Sequence, residues 1–112
     1  MIVVRDFSDF AKRFIPAVKP PVITITTTKE ETDTSIVYSV VALAGNLDTP
    51  VAAYVYRVGA VSKNATVEEI SEMEKKTEET AKKLRGDIEA AVSMAIEGWS
   101  AYKPLIVFGD YR

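Results

Sequence analysis

Two carboxylates, Asp33 and Asp48, stand on either side of a long β-rich stretch, and three tyrosines, Tyr38, Tyr54 and Tyr56, lie within that stretch and the next. A pair of acids with a nearby lysine can hold Mg²⁺ and position water for phosphodiester hydrolysis, so Asp33 and Asp48 are the metal-site candidates. The tyrosines suggest a different chemistry. A hairpin turning near Leu47 sets Tyr38 opposite Tyr56, with Tyr54 two residues along on the same face. Three rings on one sheet face can stack nucleic-acid bases. They can equally form an amphipathic layer between sheet and helix, with their hydroxyls at its rim. The second reading is favoured, because Arg57 is the one base beside them and alternation points it to the other face.

Most other chemistries lack their residues. The chain has no Cys and no His, which removes thiolate nucleophiles, thiolate metal sites and imidazole bases. Ser8, Ser35 and Ser39 therefore have no histidine to activate them. The glycines at 45, 59, 86, 98 and 109 are scattered and make no phosphate-binding loop. No catalytic residue and no cofactor is expected. The charged stretch from Glu68 to Arg85 mixes signs evenly, with Glu72–Lys76, Glu78–Lys82 and Glu79–Lys83 spaced for pairs along a solvated helix.

The elements that must position these groups are legible from periodicity. Apolar residues at 7, 10, 11, 14 and 15 mark a short amphipathic helix, with Asp6 as its N-cap and Pro16 as its end. Val22 to Thr28 alternates, so Ile23 and Ile25 face a core while Thr24 and Thr26 face water. Lys29 to Asp33 reads as a hairpin loop. Thr34 to Ala44 is apolar on both faces, as a central strand should be. After a turn over residues 45–50, Val51 to Val58 forms a third strand, and the three make an antiparallel meander. Ile2 to Val4 is a possible short edge strand. Thr66 and Glu69 are spaced as a capping box. The apolar phase from Val67 to Trp99 does not slip at Gly86, so one helix should run from Thr66 to Gly98, with residues 104–108 as a last buried strand.

That order, helix, three-stranded meander, helix, strand, resembles the core of restriction-endonuclease-like nucleases. The resemblance implies an acid, one residue and a lysine on the third strand, where this chain has Tyr54-Val55-Tyr56-Arg57 without an acid. Double-stranded-RNA-binding domains share the first five elements and resemble it less. They imply lysines at the start of the second helix, where this chain has Glu68 and Glu69.

The chain of 112 residues is read as one domain, 1–112, of the two-layer α+β class: a four-stranded mixed sheet with the long helix across one face (αβββαβ). No apolar run is long enough for a membrane span, and MIVVRDFSDF is unlike a secretory signal, so a cytoplasmic protein is expected. The lack of Cys and Gln and the presence of two Asn (Asn46 and Asn64) among many Glu and Lys suggest a hyperthermophile, archaeal source. A net charge of −2 makes nucleic acid the less favoured partner.

Helix length points to the favoured one. Residues 66–98 would span about 50 Å at ~1.5 Å per residue. A compact domain of this size, with a radius of gyration of ~13 Å, is roughly 35 Å across. The helix should then overhang its sheet and leave Val67, Ile70 and Met73 for a partner subunit. The expected function is that of a non-catalytic scaffold or interaction protein acting as a homodimer, with a degenerate nuclease-like nucleic-acid protein as the alternative.

Overall fold

The computed structural model describes residues 1–15, 22–45, 50–95 and 105–108. Its elements follow the expected order: β1 (Ile2–Val4), α1 (Phe7–Asp9) continuing into a π turn (Phe10–Phe14), β2 (Val22–Glu31), β3 (Ser35–Gly45), β4 (Pro50–Ser62), α2 (Val67–Ala95) and β5 (Leu105–Phe108). The strands form one mixed sheet in the order β1-β4-β3-β2-β5, with β2, β3 and β4 antiparallel and both outer strands parallel to their neighbours. The four expected strands are all present, and Ile2–Val4 adds a fifth along β4. No helix among the described residues is long and apolar enough to cross a membrane.

Both helical segments lie on one face of the sheet. Asp6 caps α1 as its type and position dictate, its Oδ1 accepting from the Asp9 N–H at 3.2 Å. This turns Phe10, Ala11, Phe14 and Ile15 down into the core. At the start of α2 the Glu69 N–H donates to Thr66 Oγ1, and the Thr66 hydroxyl donates back to the Glu69 carboxylate, each at 3.2 Å. The core then joins Ala81, Leu84 and Ile88 of α2 to Ile23, Ile25, Val40, Ala42, Ala44, Ala52 and Ile106 of the sheet.

Gly86 lies inside α2, and the helix passes through it unbroken. It is exposed, and a Cβ built on it would meet nothing within 4 Å. Neither a turn nor a close neighbour requires glycine there. Gly86→Ala should therefore stabilise the protein by about 0.5–1 kcal/mol through helix propensity. Urea denaturation would read this as a higher midpoint at unchanged slope. A loss of stability would mean that α2 bends at this position. Gly45 is different: its φ of 114° at the end of β3 is a conformation that side chains rarely adopt.

Several expectations need correction. The polar run Lys29–Glu31 continues β2 instead of forming a loop, because Lys29, Glu30 and Glu31 pair with Tyr38, Val37 and Ile36. The turn is shorter, tied by Thr32 Oγ1 accepting from the Ser35 N–H at 3.0 Å. Thr24 and Thr26 are buried, on a sheet face where Leu43 and Ala53 are buried as well. β4 also runs past Val58 to Ser62. These extensions remove the overhang. At 13 residues, β4 spans about 43 Å, and α2 with 29 residues spans about the same length. The molecule is elongated instead, 50 × 23 × 21 Å with a radius of gyration of 15.1 Å. The expected helix stop at Gly98, the apolar positions Ile96 and Trp99, and the turn at Leu47 lie outside the described residues.

Candidate functional site

The sequence-derived candidates do not converge. Asp33 is exposed on the β2–β3 turn, and Asp48 lies outside the described residues. Among the described residues no three Asp or Glu side chains come together in a way that could hold a metal ion. The tyrosines share one sheet face, but the register differs from the expected one. Tyr38 pairs with Gly59, while Tyr56 pairs with Val40 and Tyr54 with Ala42. Two residues of the shift are already present on the turn side, where Tyr56 pairs with Val40, and a β-bulge between Tyr38 and Ser39 adds one more.

These rings make no open stacking platform. That face lies under the helices, so Tyr38 and Tyr54 are buried and Tyr56 alone is exposed. Tyr54 packs edge-on to Phe7 and tilted against Phe10, with centroids at 5.4 and 5.7 Å. Burial pushes its hydroxyl pKa up, and the negative charges of Tyr56, Asp6 and Asp87 add to that.

Val67, Ile70 and Met73 are also divided. Val67 is 81% exposed, whereas Ile70 and Met73 are half-buried. Met73 lies over β4, its Cε only 3.1 Å from where a Cβ on Gly59 would stand. The chain's own sheet has reached this end of the helix. A further exposed apolar surface lies along β1, beside the other end of β4, where Ile2 and Val3 are each more than half exposed and Val51 of β4 is 43% exposed.

A pocket that the sequence did not reveal opens between α2 and the far halves of β2 and β3. Its volume is about 250 Å³, and Thr27, Thr28, Lys29, Tyr38, Glu74, Thr77 and Glu78 line it. Each element supplies its share for a local reason. The extension of β2 carries Lys29 opposite Tyr38 and up toward the helix. On α2 the apolar stripe is interrupted by Thr77, which is buried and donates its hydroxyl to the Met73 carbonyl at 2.7 Å. A small polar residue in the stripe leaves room above Tyr38.

The pocket's charges are unevenly matched. Lys29 Nζ stands 4.0 Å from Glu74 Oε1 and 6.0 Å from the centre of the Tyr38 ring. Among the described residues Glu78 has no ion-pair partner. The expected pairs Glu72–Lys76, Glu78–Lys82 and Glu79–Lys83 do not close, and among the described residues Arg85 and Glu89 pair within α2 at 3.2 Å. Exposed long side chains gain little from such pairs against the entropy of holding them. Tyr38 is 3% exposed, and its hydroxyl has no hydrogen-bond partner among the described residues. A buried hydroxyl left unpartnered costs about 1–3 kcal/mol.

No family model matches this chain, and no curated protein or solved structure is significantly similar to it. The pocket and the β1 edge therefore have to be judged on their own chemistry. The clue to the pocket was legible only as Thr77, a polar residue in phase with Met73 and Ala81. Its other side depended on Lys29 lying in a strand.

Proposed function

We propose that this chain is a non-catalytic interaction protein that works as a homodimer joined along β1. The observation that carries this reading is the exposed apolar edge formed by Ile2, Val3 and Val51. An edge strand presents unpaired N–H and C=O groups, and proteins usually blunt it with Lys, Pro or a bulge. Ile2-Val3-Val4 contains none of these. A second copy fits the edge well. Antiparallel pairing about a two-fold axis at Val3 would set Ile2 against Val4 of the other copy and bring apolar side chains together. Such an interface closes on itself and consumes both edges.

The helix end is the weaker surface, since Ile70 and Met73 are half-covered by the sheet. Nucleic acid is a weaker partner too, because two of the three tyrosines are buried and α2 begins with Glu68 and Glu69. Composition supports a hyperthermophile, archaeal source and a cytoplasmic setting.

Solution mass tests the proposal. The chain of 12.3 kDa should run as a dimer by light scattering at high micromolar concentration. Val3→Lys should run as a monomer with an unchanged circular dichroism spectrum, because Val3 is exposed and the lysine would face its own copy. A wild-type monomer at that concentration would rule out the dimer. A Val3→Lys dimer would move the interface away from β1.

A further inference from the structure

We infer that the pocket between α2 and the β2–β3 hairpin is a binding site for a small organic cation, an alkylammonium group. This site is separate from the β1 edge, because β3 and β4 lie between β2 and β1. Three features of the pocket select a cation. The first is charge. Lys29 is matched by Glu74, which leaves Glu78 as a spare carboxylate and the lining with a net negative charge. The second is the aromatic wall. Tyr38 lines the pocket, and the face of a phenol ring attracts ammonium groups within ~6 Å. The Lys29 ammonium already stands 6.0 Å from that ring and 4.0 Å from a carboxylate. It occupies, from the rim, the kind of environment that a free ligand would seek. The third is the Tyr38 hydroxyl, buried and without a partner among the described residues. Its oxygen is closed to solvent, so an ammonium, which brings three donors, hydrogen-bonds to it once the lining side chains shift.

Size narrows the class. At about 250 Å³ the pocket is below the ~300–1,000 Å³ typical of drug-sized ligands, so a short alkyl chain suits it. An anion would meet Glu74 and Glu78 at the helix side. A neutral alcohol could satisfy the tyrosine but would gain nothing from the carboxylate.

The test is a titration of the isotope-labelled full chain, followed by amide shifts, with n-butylamine (cationic at pH 7), 1-butanol and butyrate as probes. Butylammonium should give saturable shifts at Thr27, Thr28, Tyr38 and Glu78, and the other two probes should not. Glu78→Gln, an exposed change that leaves the fold intact, should weaken binding about fivefold. Tyr38→Phe should weaken it roughly tenfold and, without ligand, raise the melting temperature by removing the unpartnered hydroxyl. Lys29→Met should tighten binding several-fold, because it removes the internal competitor for Glu74 and the ring. A gain of affinity cannot come from a damaged fold. No saturable shift with butylammonium would overturn the inference. So would equal responses to butanol and butylammonium, or variants that all titrate like the wild type.

Discussion

Ile88→Ala is expected to cost about 3–4 kcal/mol of stability, read as a fall of roughly 12–16 °C in the melting temperature of a domain this size. Ile88 is fully buried, two turns before the end of the described helix. It belongs to the core in which α2, the π turn and the sheet all meet, with Phe10, Phe14, Tyr54 and Leu84 among its members. Removing three carbons there leaves a cavity, and the rings of Phe10 and Tyr54 are held by each other and cannot follow the change. Gly86, only two residues earlier, faces solvent, and there the added methyl of alanine should stabilise. The sign of the effect therefore reverses within one helical turn. A cost below ~1.5 kcal/mol for Ile88→Ala, measured by urea denaturation, would show that the core collapses easily around the site.

The sequence exposed the fold more fully than the site, and the reasons are physical. Hydrophobic period reports burial of a whole face, so α2, β2 and β3 could be placed from their stripes alone. The Asp6 cap and the Thr66–Glu69 pair could be read as well, because capping depends on residues three apart. Strand ends were less visible. Lys29, Glu30 and Glu31 have the composition of a loop, yet cross-strand pairing with Tyr38, Val37 and Ile36 holds them in β2. Local polarity carries no record of a partner strand. That one error had two consequences. It shortened the expected sheet, so the strand lengths did not challenge an overhang inferred from a compact diameter of roughly 35 Å. It also removed Lys29 from the sheet, which hid the pocket. The bulge beside Tyr38 was equally hidden, since an extra residue in β4 leaves alternation intact on either side of it.

The double substitution Ile70→Glu with Met73→Glu separates the two places where a second copy could attach. The β1-edge reading expects it to destabilise the fold by about 2–3 kcal/mol while leaving association intact. Met73 rests on Gly59 of β4, and both side chains are half-buried where the sheet meets the first turns of α2. Carboxylates in their place would lose that apolar contact and suffer partial desolvation, which an exposed pair with Lys76, three residues beyond position 73, offsets only a little. Glu69, Glu72 and Glu74 on the same turns would add like-charge repulsion. Val67→Glu serves as the control, because Val67 is 81% exposed and should tolerate the change within about 0.5 kcal/mol. Melting curves and solution mass, taken together on the same samples, decide the matter. A folded monomer with wild-type stability would place the interface at the helix end after all. A destabilised dimer is the expected result, because Ile70 and Met73 are already half-buried and Met73 rests on the chain's own sheet.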